Sequence, residues 1–352
     1  MSDGERSGRE MDHLTLADVG EGGLLRRIFP LLPGGDHTVL GPGDDTAVVR
    51  APDGRVVATT DLIVEGRDFR HDWSSPQDVG VKAAAQNLAD VAAMGAVPTS
   101  LLVGLVAPAD LPVDWAVGLS EGLALGCVGT GAGVVGGDLS SGPVVVVAVT
   151  ALGDLEGRPP VLRSGARPGD VVAVAGSLGR SAAGLAVLQS GWPDAGPLAG
   201  AELTGSSAAE VDTWARAVVR THRRPEPPYA AGPEAARAGA TAMLDVSDGL
   251  LRDAGRVADA SGVCLDLDDA ALGGRFVEPL RSLSDALGAD PWTWVLTGGE
   301  DHGLLATFPS GSVPASFTVI GSVRPRLEGG PDVLLDGHAP SSVVPGWDHF
   351  RP

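Results

Sequence analysis

The chain of 352 residues holds a single lysine, two cysteines, no long apolar run and too few basic side chains to balance its acids. Without a run of about 18 apolar residues, no membrane-spanning helix is expected. The first ten residues are polar and lack the apolar core of a signal peptide. Residues 1–15 therefore read as a disordered tail. Cys127 and Cys264 stand far apart in apolar surroundings, the pattern of buried free thiols in a reducing, cytoplasmic compartment. The 25 basic side chains face 45 acidic ones, for a formal net charge of −20. That deficit argues against non-specific binding to nucleic acid or to anionic membrane, which need a basic surface. A polyphosphate ligand stays admissible, because bound metal ions invert the field locally. Lys82 is the only lysine; every other basic side chain is arginine. Either chance has kept it on an exposed helix, or a site needs a compact ammonium there.

What the chain does have is a hydrophobic content of 43%, enough for a sizeable core divided between two domains. It also carries six short acidic motifs spread over almost its whole length. Gly43-Asp44-Asp45 leads into a strand at Thr46–Val49, and Thr59-Thr60-Asp61 ends a strand at Val56–Thr60. Asn87-Leu88-Ala89-Asp90 lies on an alanine-rich helix from Pro76 to Met94, capped by Ser74 or Ser75 and stopped by Gly95. Asn87 and Asp90, three residues apart, share one face of it. Gly136-Gly137-Asp138 follows a short strand at Gly133–Val135, and its two glycines let a ligand approach the backbone. Asp245-Val246-Ser247-Asp248-Gly249 opens a helix at Leu250–Ser261, with Ser247 or Asp248 as its cap. Gly298-Gly299-Glu300-Asp301 is the sixth.

Any one of these is ordinary turn or cap chemistry. Six together point to a distributed site for hard cations: carboxylate, hydroxyl and carbonyl oxygens suit magnesium, which takes phosphates as its remaining ligands. The turn Gly176–Gly179 lacks the Lys-Ser/Thr pair of a P-loop and carries little weight as a phosphate cradle. Strand-like runs alternate with helical ones in both halves, and the Gly-, Pro- and Arg-rich stretch Gly153–Gly169 separates them. The class is a layered α/β (α+β) fold.

Taken in order, the motifs resemble the thiamine-monophosphate kinase family of the PurM-like ATP-binding superfamily. The resemblance runs from about Gly20 to Phe350 and includes Lys82-Ala83, Arg163-Ser164-Gly165-Ala166-Arg167-Pro168-Gly169-Asp170 and Gly346-Trp347-Asp348-His349-Phe350 besides the acidic motifs. It implies ATP-dependent phosphorylation of thiamine phosphate to thiamine diphosphate, the last step in making that cofactor, by direct in-line transfer with several magnesium ions. It further implies an N-terminal PurM-like domain (16–153) that binds ATP and metal and forms a homodimer, and a C-terminal PurM-like domain (154–352).

By matching positions, the resemblance gives Asp45, Thr59, Thr60, Asp61, Asp90, Asp138, Asp245 and Asp248 as the metal shell, with Asp45, Asp90, Asp138 and Asp248 central to catalysis. Gly137, Asp138, Arg163 and Ser247 would touch the nucleotide, and Asp68, Glu300 and Trp347 the thiamine substrate. The chain departs from the family at three places: Asp68 replaces a usual histidine, Leu139 a threonine, and His302-Gly303 a Tyr-Glu pair.

Other ATP-using members of the superfamily are the alternatives. A selenophosphate synthetase would show a reactive cysteine near an N-terminal glycine-rich segment, and none precedes Cys127. A hydrogenase-maturation protein would end in cysteine, where this sequence ends Arg351-Pro352. Aminoimidazole ribonucleotide synthetase and a non-catalytic nucleotide-binding scaffold complete the set.

Overall fold

The structure is a computed structural model, and it describes residues 14–43, 46–192, 208–340 and 346–347. Contacts divide the chain into two compact units. The first comprises residues up to Asn87 and Pro98–Asp154; the second comprises Leu88–Val97 and everything from Leu155.

The first unit contains α1 (Leu16–Ile28), β1 (Thr38–Leu40), β2 (Val48–Val49), β3 (Val57–Val64), most of α2 (Pro76–Ala93), β4 (Val97–Ala107), α3 (Val113–Gly126), β5 (Gly133–Ser141) and β6 (Val146–Asp154). Its main sheet has the order β3-β6-β4-β5, with β3 antiparallel to β6 and β4 parallel to β5. Alternation along the strands gives it two unlike faces. Ile63, Val147, Val149 and Ala151 are buried, while Leu62 is 58% exposed.

Helix α2 begins with a reciprocal cap: Asp78 N–H donates to Ser75 Oγ (3.2 Å) and Ser75 N–H to the Asp78 carboxylate (2.9 Å). Such a cap contributes about 1 kcal/mol. The helix stops before Gly95, whose φ of 74° suits glycine. It runs in backbone contact with α3, since a Cβ on Gly80 would lie 2.2 Å from the Leu119 carbonyl oxygen.

The second unit contains β7 (Val171–Ala175), α4 (Arg180–Gln189), α5 (Ala208–Arg223), α6 (Ala231–Arg237), β8 (Ala242–Val246), α7 (Leu250–Ser261) and β9 (Val263–Leu267). After these come α8 (Asp269–Leu272), α9 (Arg281–Leu287), α10 (Pro291–Thr297), β10 (Gly303–Phe308), β11 (Thr318–Pro325) and β12 (Val333–Leu335). Its six strands follow the order β12-β9-β11-β7-β10-β8. Ala92 and Ala93, from the end of α2, join the core of this unit with Ala175, Met243, Leu304 and Phe308.

Four expectations change here. The strand expected at Thr46–Val49 is only Val48–Val49, the two residues that pair with β1. The strand expected at Val56–Thr60 continues to Val64, so Asp61 is mid-strand; pairing with β6, from Val57↔Gly153 to Val64↔Val146, outweighs the charge. The strand expected at Gly133–Val135 continues to Ser141, because the parallel ladder with β4 carries it through Gly136 and Gly137. Helix α7 is not capped by Ser247 or Asp248. Its N-cap is Gly249, without a side-chain cap bond, and Asp253 reaches back to accept from Asp248 N–H (2.9 Å). Residues 1–13 of the expected tail lie outside the described residues. Leu14 and Thr15 are already paired with Val113 and Pro112.

Candidate active site

In the first unit, β3 presents Thr59 and Asp61 on one face and Thr60 on the other. Asp61 N–H donates to Asn87 Oδ1 (3.1 Å), and Asn87 Nδ2 donates to the Ala83 carbonyl (2.9 Å). The fully buried Asn87 thus ties the strand to α2, and its amide is satisfied on both sides. Thr60 Oγ1 donates to the Val149 carbonyl (3.0 Å) and accepts from Thr150 Oγ1 (3.1 Å), a cross-strand lock.

On β5, a Cβ at Gly137 would lie 1.9 Å from the Val103 carbonyl oxygen, so only glycine fits there. Asp138 follows it, exposed. Gly136, Gly137 and Asp138 border a cavity of about 960 Å³ walled by apolar side chains of α1 and α3, among them Leu24, Ile28, Leu119 and Leu123. Asp45 lies outside the described residues.

Asp68 is half-buried in the turn after β3, where its Oδ2 accepts from Val64 N–H (2.8 Å). Lys82 is 3% exposed and donates to the Asp68 carbonyl (3.0 Å), which overturns the reading of a lysine left on an exposed helix. The same turn is braced by His71. Trp115 Nε1–H donates to His71 Nδ1 (3.1 Å), so in the neutral ring Nε2 carries the hydrogen directed at Glu65 Oε1 (3.1 Å).

In the second unit, the loop after β8 and the loop after α10 lie backbone against backbone. Glu300 N–H donates to the Ser247 carbonyl (2.9 Å) and His302 N–H to that of Val246 (3.2 Å). A Cβ on Gly299 would lie 2.1 Å from Ser247 O. Glu300 and His302 both take positive φ, 62° and 51°. Side chains that are not glycine rarely do so, and the loop is strained where it carries its polar groups.

Asp245 Oδ2 is 3.1 Å from His302 Nδ1, and both residues are buried. Burial works against a charged His302. The hydrogen bond to Asp245, with the charges of Asp245, Glu300 and Asp90, nevertheless holds its pKa above the ordinary value. Asp248 and Asp253 share Arg256 at 2.7 and 2.5 Å. Burial, the largest influence, pushes the Asp253 carboxyl up to about 6; the Asp248 N–H bond and the Arg256 charge oppose it.

Asp301 accepts from Ser177 Oγ (2.7 Å) and Ser181 N–H (3.1 Å), so it caps α4 from another part of the chain. Its burial raises its pKa against those two bonds. Ser181 Oγ and Glu300 Oε2 approach the same His222 nitrogen, Nδ1, at 3.0 and 3.4 Å. A proton relay would need opposite ring nitrogens, so this trio positions Glu300 and is not a nucleophilic triad.

Trp347 is 47% exposed, and its N–H donates to the Asp248 carbonyl (2.9 Å). Gly346 permits that approach: a Cβ there would lie 2.1 Å from the same oxygen. Arg163 has an exposed side chain, while its carbonyl accepts from Ser261 Oγ (3.1 Å).

The structure thus gathers Asp90, Asp245, Ser247, Asp248, Glu300 and Trp347 in one unit and Thr59, Thr60, Asp61, Gly137 and Asp138 in the other. Among the described residues, no group of three or more acidic, histidine or cysteine side chains is already close enough to hold a metal ion. Sequence reasoning missed Arg256, Asp253, His222 and the serines at 177 and 181. Only the Asp253–Arg256 pair had a local signal, its three-residue spacing on a helix.

Comparison with known proteins decides what this scaffold is. The chain is 48% identical over 336 residues to the thiamine-monophosphate kinase of Mycobacterium tuberculosis, covering 96% of this chain and 93% of that one. The chain belongs to the thiamine-monophosphate kinase family. The family enzyme of Corynebacterium glutamicum is 41% identical over 346 residues, 96% of each chain. The solved complex described as AaThiL with AMPPCP and TMP matches with a TM-score of 0.73 at 30% identity, covering 96% of this chain and 99% of that one. Two family models also match: AIR synthase related protein, N-terminal domain, over residues 43–155, and its C-terminal domain over 167–306.

Proposed function

We infer that the chain transfers the γ-phosphoryl group of ATP to thiamine phosphate, giving thiamine diphosphate and ADP, by direct in-line displacement. The observation that carries this reading is the nearly full-length match to a protein complexed with AMPPCP and TMP. The side chains fit the chemistry. Two polyanions must meet, and the candidate residues offer carboxylates and hydroxyls but no thiol, a donor set suited to magnesium.

Asp61, Asp138, Thr59 and Thr60 in one unit, and Asp90, Asp245 and Asp248 in the other, would hold several magnesium ions, with Asp45 as an eighth ligand. When bound, magnesium supplies neutralisation of the phosphates and their alignment for displacement. Gly137 brings bare backbone to the edge of a cavity of about 960 Å³, whose size and apolar walls support a nucleotide there. Arg163 can fork onto phosphate oxygens with its exposed guanidinium, and Ser247 offers a hydroxyl to the same ligand. Trp347 presents an exposed aromatic face suited to a thiazolium or pyrimidine ring, and Glu300 offers a carboxylate to the same substrate.

A homodimer through the first unit is part of the same reading, supported by the exposure of Leu62 on its sheet. A cytoplasmic location accords with the two buried free cysteines. Among the described residues, no helix is long and apolar enough to cross a membrane. Incubation with ATP, magnesium and thiamine phosphate, with products resolved by chromatography, should give ADP and thiamine diphosphate in equal amounts. ATP bound without turnover would favour the non-catalytic scaffold instead.

A further inference from the structure

His302 carries an inference that rests on the magnesium reading above. It is buried at 5% exposure in a loop pinned at both ends by backbone hydrogen bonds, Glu300 N–H to Ser247 O and His302 N–H to Val246 O. Its φ of 51° is uncommon for a side chain of its size. A buried imidazole held this way has little freedom to turn, and its Nδ1 lies 3.1 Å from Asp245 Oδ2. Beside the Asp245 carboxylate, Nδ1 carries the hydrogen and donates it.

We propose that His302 is a positioning residue for the divalent-cation site of the second unit: its Nδ1–H holds Oδ2 of Asp245, so that Oδ1 is the oxygen left to a cation. The physical reason is rotational. A carboxylate on a strand end can turn about its terminal torsion, which is broad and roughly two-fold. A fixed donor on one oxygen selects a single orientation before any cation arrives. Groups that orient a metal ligand in this way are worth about 10–100-fold in affinity when removed.

The test uses manganese(II) titrated into the full-length chain with a non-hydrolysable ATP analogue, free ion being followed by electron paramagnetic resonance. His302→Asn keeps an N–H close to the place of Nδ1 and tolerates positive φ. His302→Leu has the shape of asparagine without the donor. The expected result is that His302→Leu weakens one class of manganese sites by about 10–100-fold, while His302→Asn stays within about threefold of wild type.

His302→Gln, whose amide lies one bond further out, should behave like His302→Leu, and it carries the test if the leucine variant fails to fold. In an Asp245→Asn background the leucine substitution should change manganese binding by less than about twofold, because the oxygen it orients is gone. Wild-type manganese binding in a folded His302→Leu or His302→Gln variant overturns the proposal. So does an asparagine variant as impaired as leucine at unchanged melting temperature. A wild-type chain that takes up no manganese would overturn the magnesium reading itself, and this inference with it.

Discussion

In the first unit two acids with displaced pKa values, Asp18 and Asp72, are exposed, and local partners pull them down: the Thr15 side chain for one and Arg70 for the other. In the second unit the corresponding acids, Asp253 and Asp301, are buried, and burial pushes them up. The candidate ligands divide along similar lines. Asp138 is exposed on a strand of the first unit, whereas Asp245 is buried against His302 and Asp248 is tied to Arg256. The contrast teaches where order comes from. One unit fixes its oxygens through strand geometry, and the other through buried donors and counter-charges that hold loops in strained conformations.

The largest expected effect tests whether both units serve one reaction. Asp138→Asn in the first and Asp90→Asn in the second should each lower kcat by about 10²–10⁴, or roughly 3–5 kcal/mol of transition-state stabilisation. Residues that act as a unit are not additive, so the double variant should be no more than about tenfold slower than the worse single one. Steady-state kinetics at saturating magnesium measures this. Multiplying losses would mean that the two carboxylates act in separate steps.

A smaller effect sharpens the electrostatic half of the comparison. The Asp253 carboxyl lies at about 6 in the folded chain against an ordinary 3.8, so the folded state holds this proton more tightly than the unfolded one. Its contribution is therefore fully present below the ordinary value and is lost as pH rises from there to about 6. The loss is roughly 3 kcal/mol at most. Urea unfolding in EDTA at successive pH values should show that downward term in the wild type and not in Asp253→Asn. Parallel curves for the two proteins would mean that Arg256 keeps Asp253 ionised throughout.

The smallest concerns Asp68, where the family resemblance leads one to expect a histidine. Its carboxylate already accepts from Val64 N–H, which gives it a structural task in its own turn. If it also meets the cationic substrate, Asp68→Ala should raise the thiamine phosphate KM severalfold and leave the ATP KM within about twofold. Asp68→Asn preserves the acceptor for Val64 and separates the two roles. Unchanged constants in both variants would leave Asp68 a turn residue only.

Much of the scaffold was legible along the chain because its signals are local. Helices α2 and α7 start where their turn and glycine signals predict, at Pro76 and Leu250. Their neighbours within a few residues hold all the information needed. Asp61 was misplaced at a strand end for the opposite reason. Nothing near it in sequence announces the register Asp61↔Val149, and that pairing carries β3 on to Val64.

By itself the sequence determined the kind of chemistry on offer: oxygen donors in six ordered motifs, an acidic balance, and membership of one kinase family. Which acid does what was decided only by the tertiary structure. Asp301 belongs to a motif that reads as a ligand cluster, yet it caps a helix 120 residues away in the chain through Ser181 N–H. Asp253 stands outside every motif, yet it shares Arg256 with Asp248. A carboxylate has the same letter in either role. Its burial and its donors come from segments far apart in the chain, and only folding brings them to it.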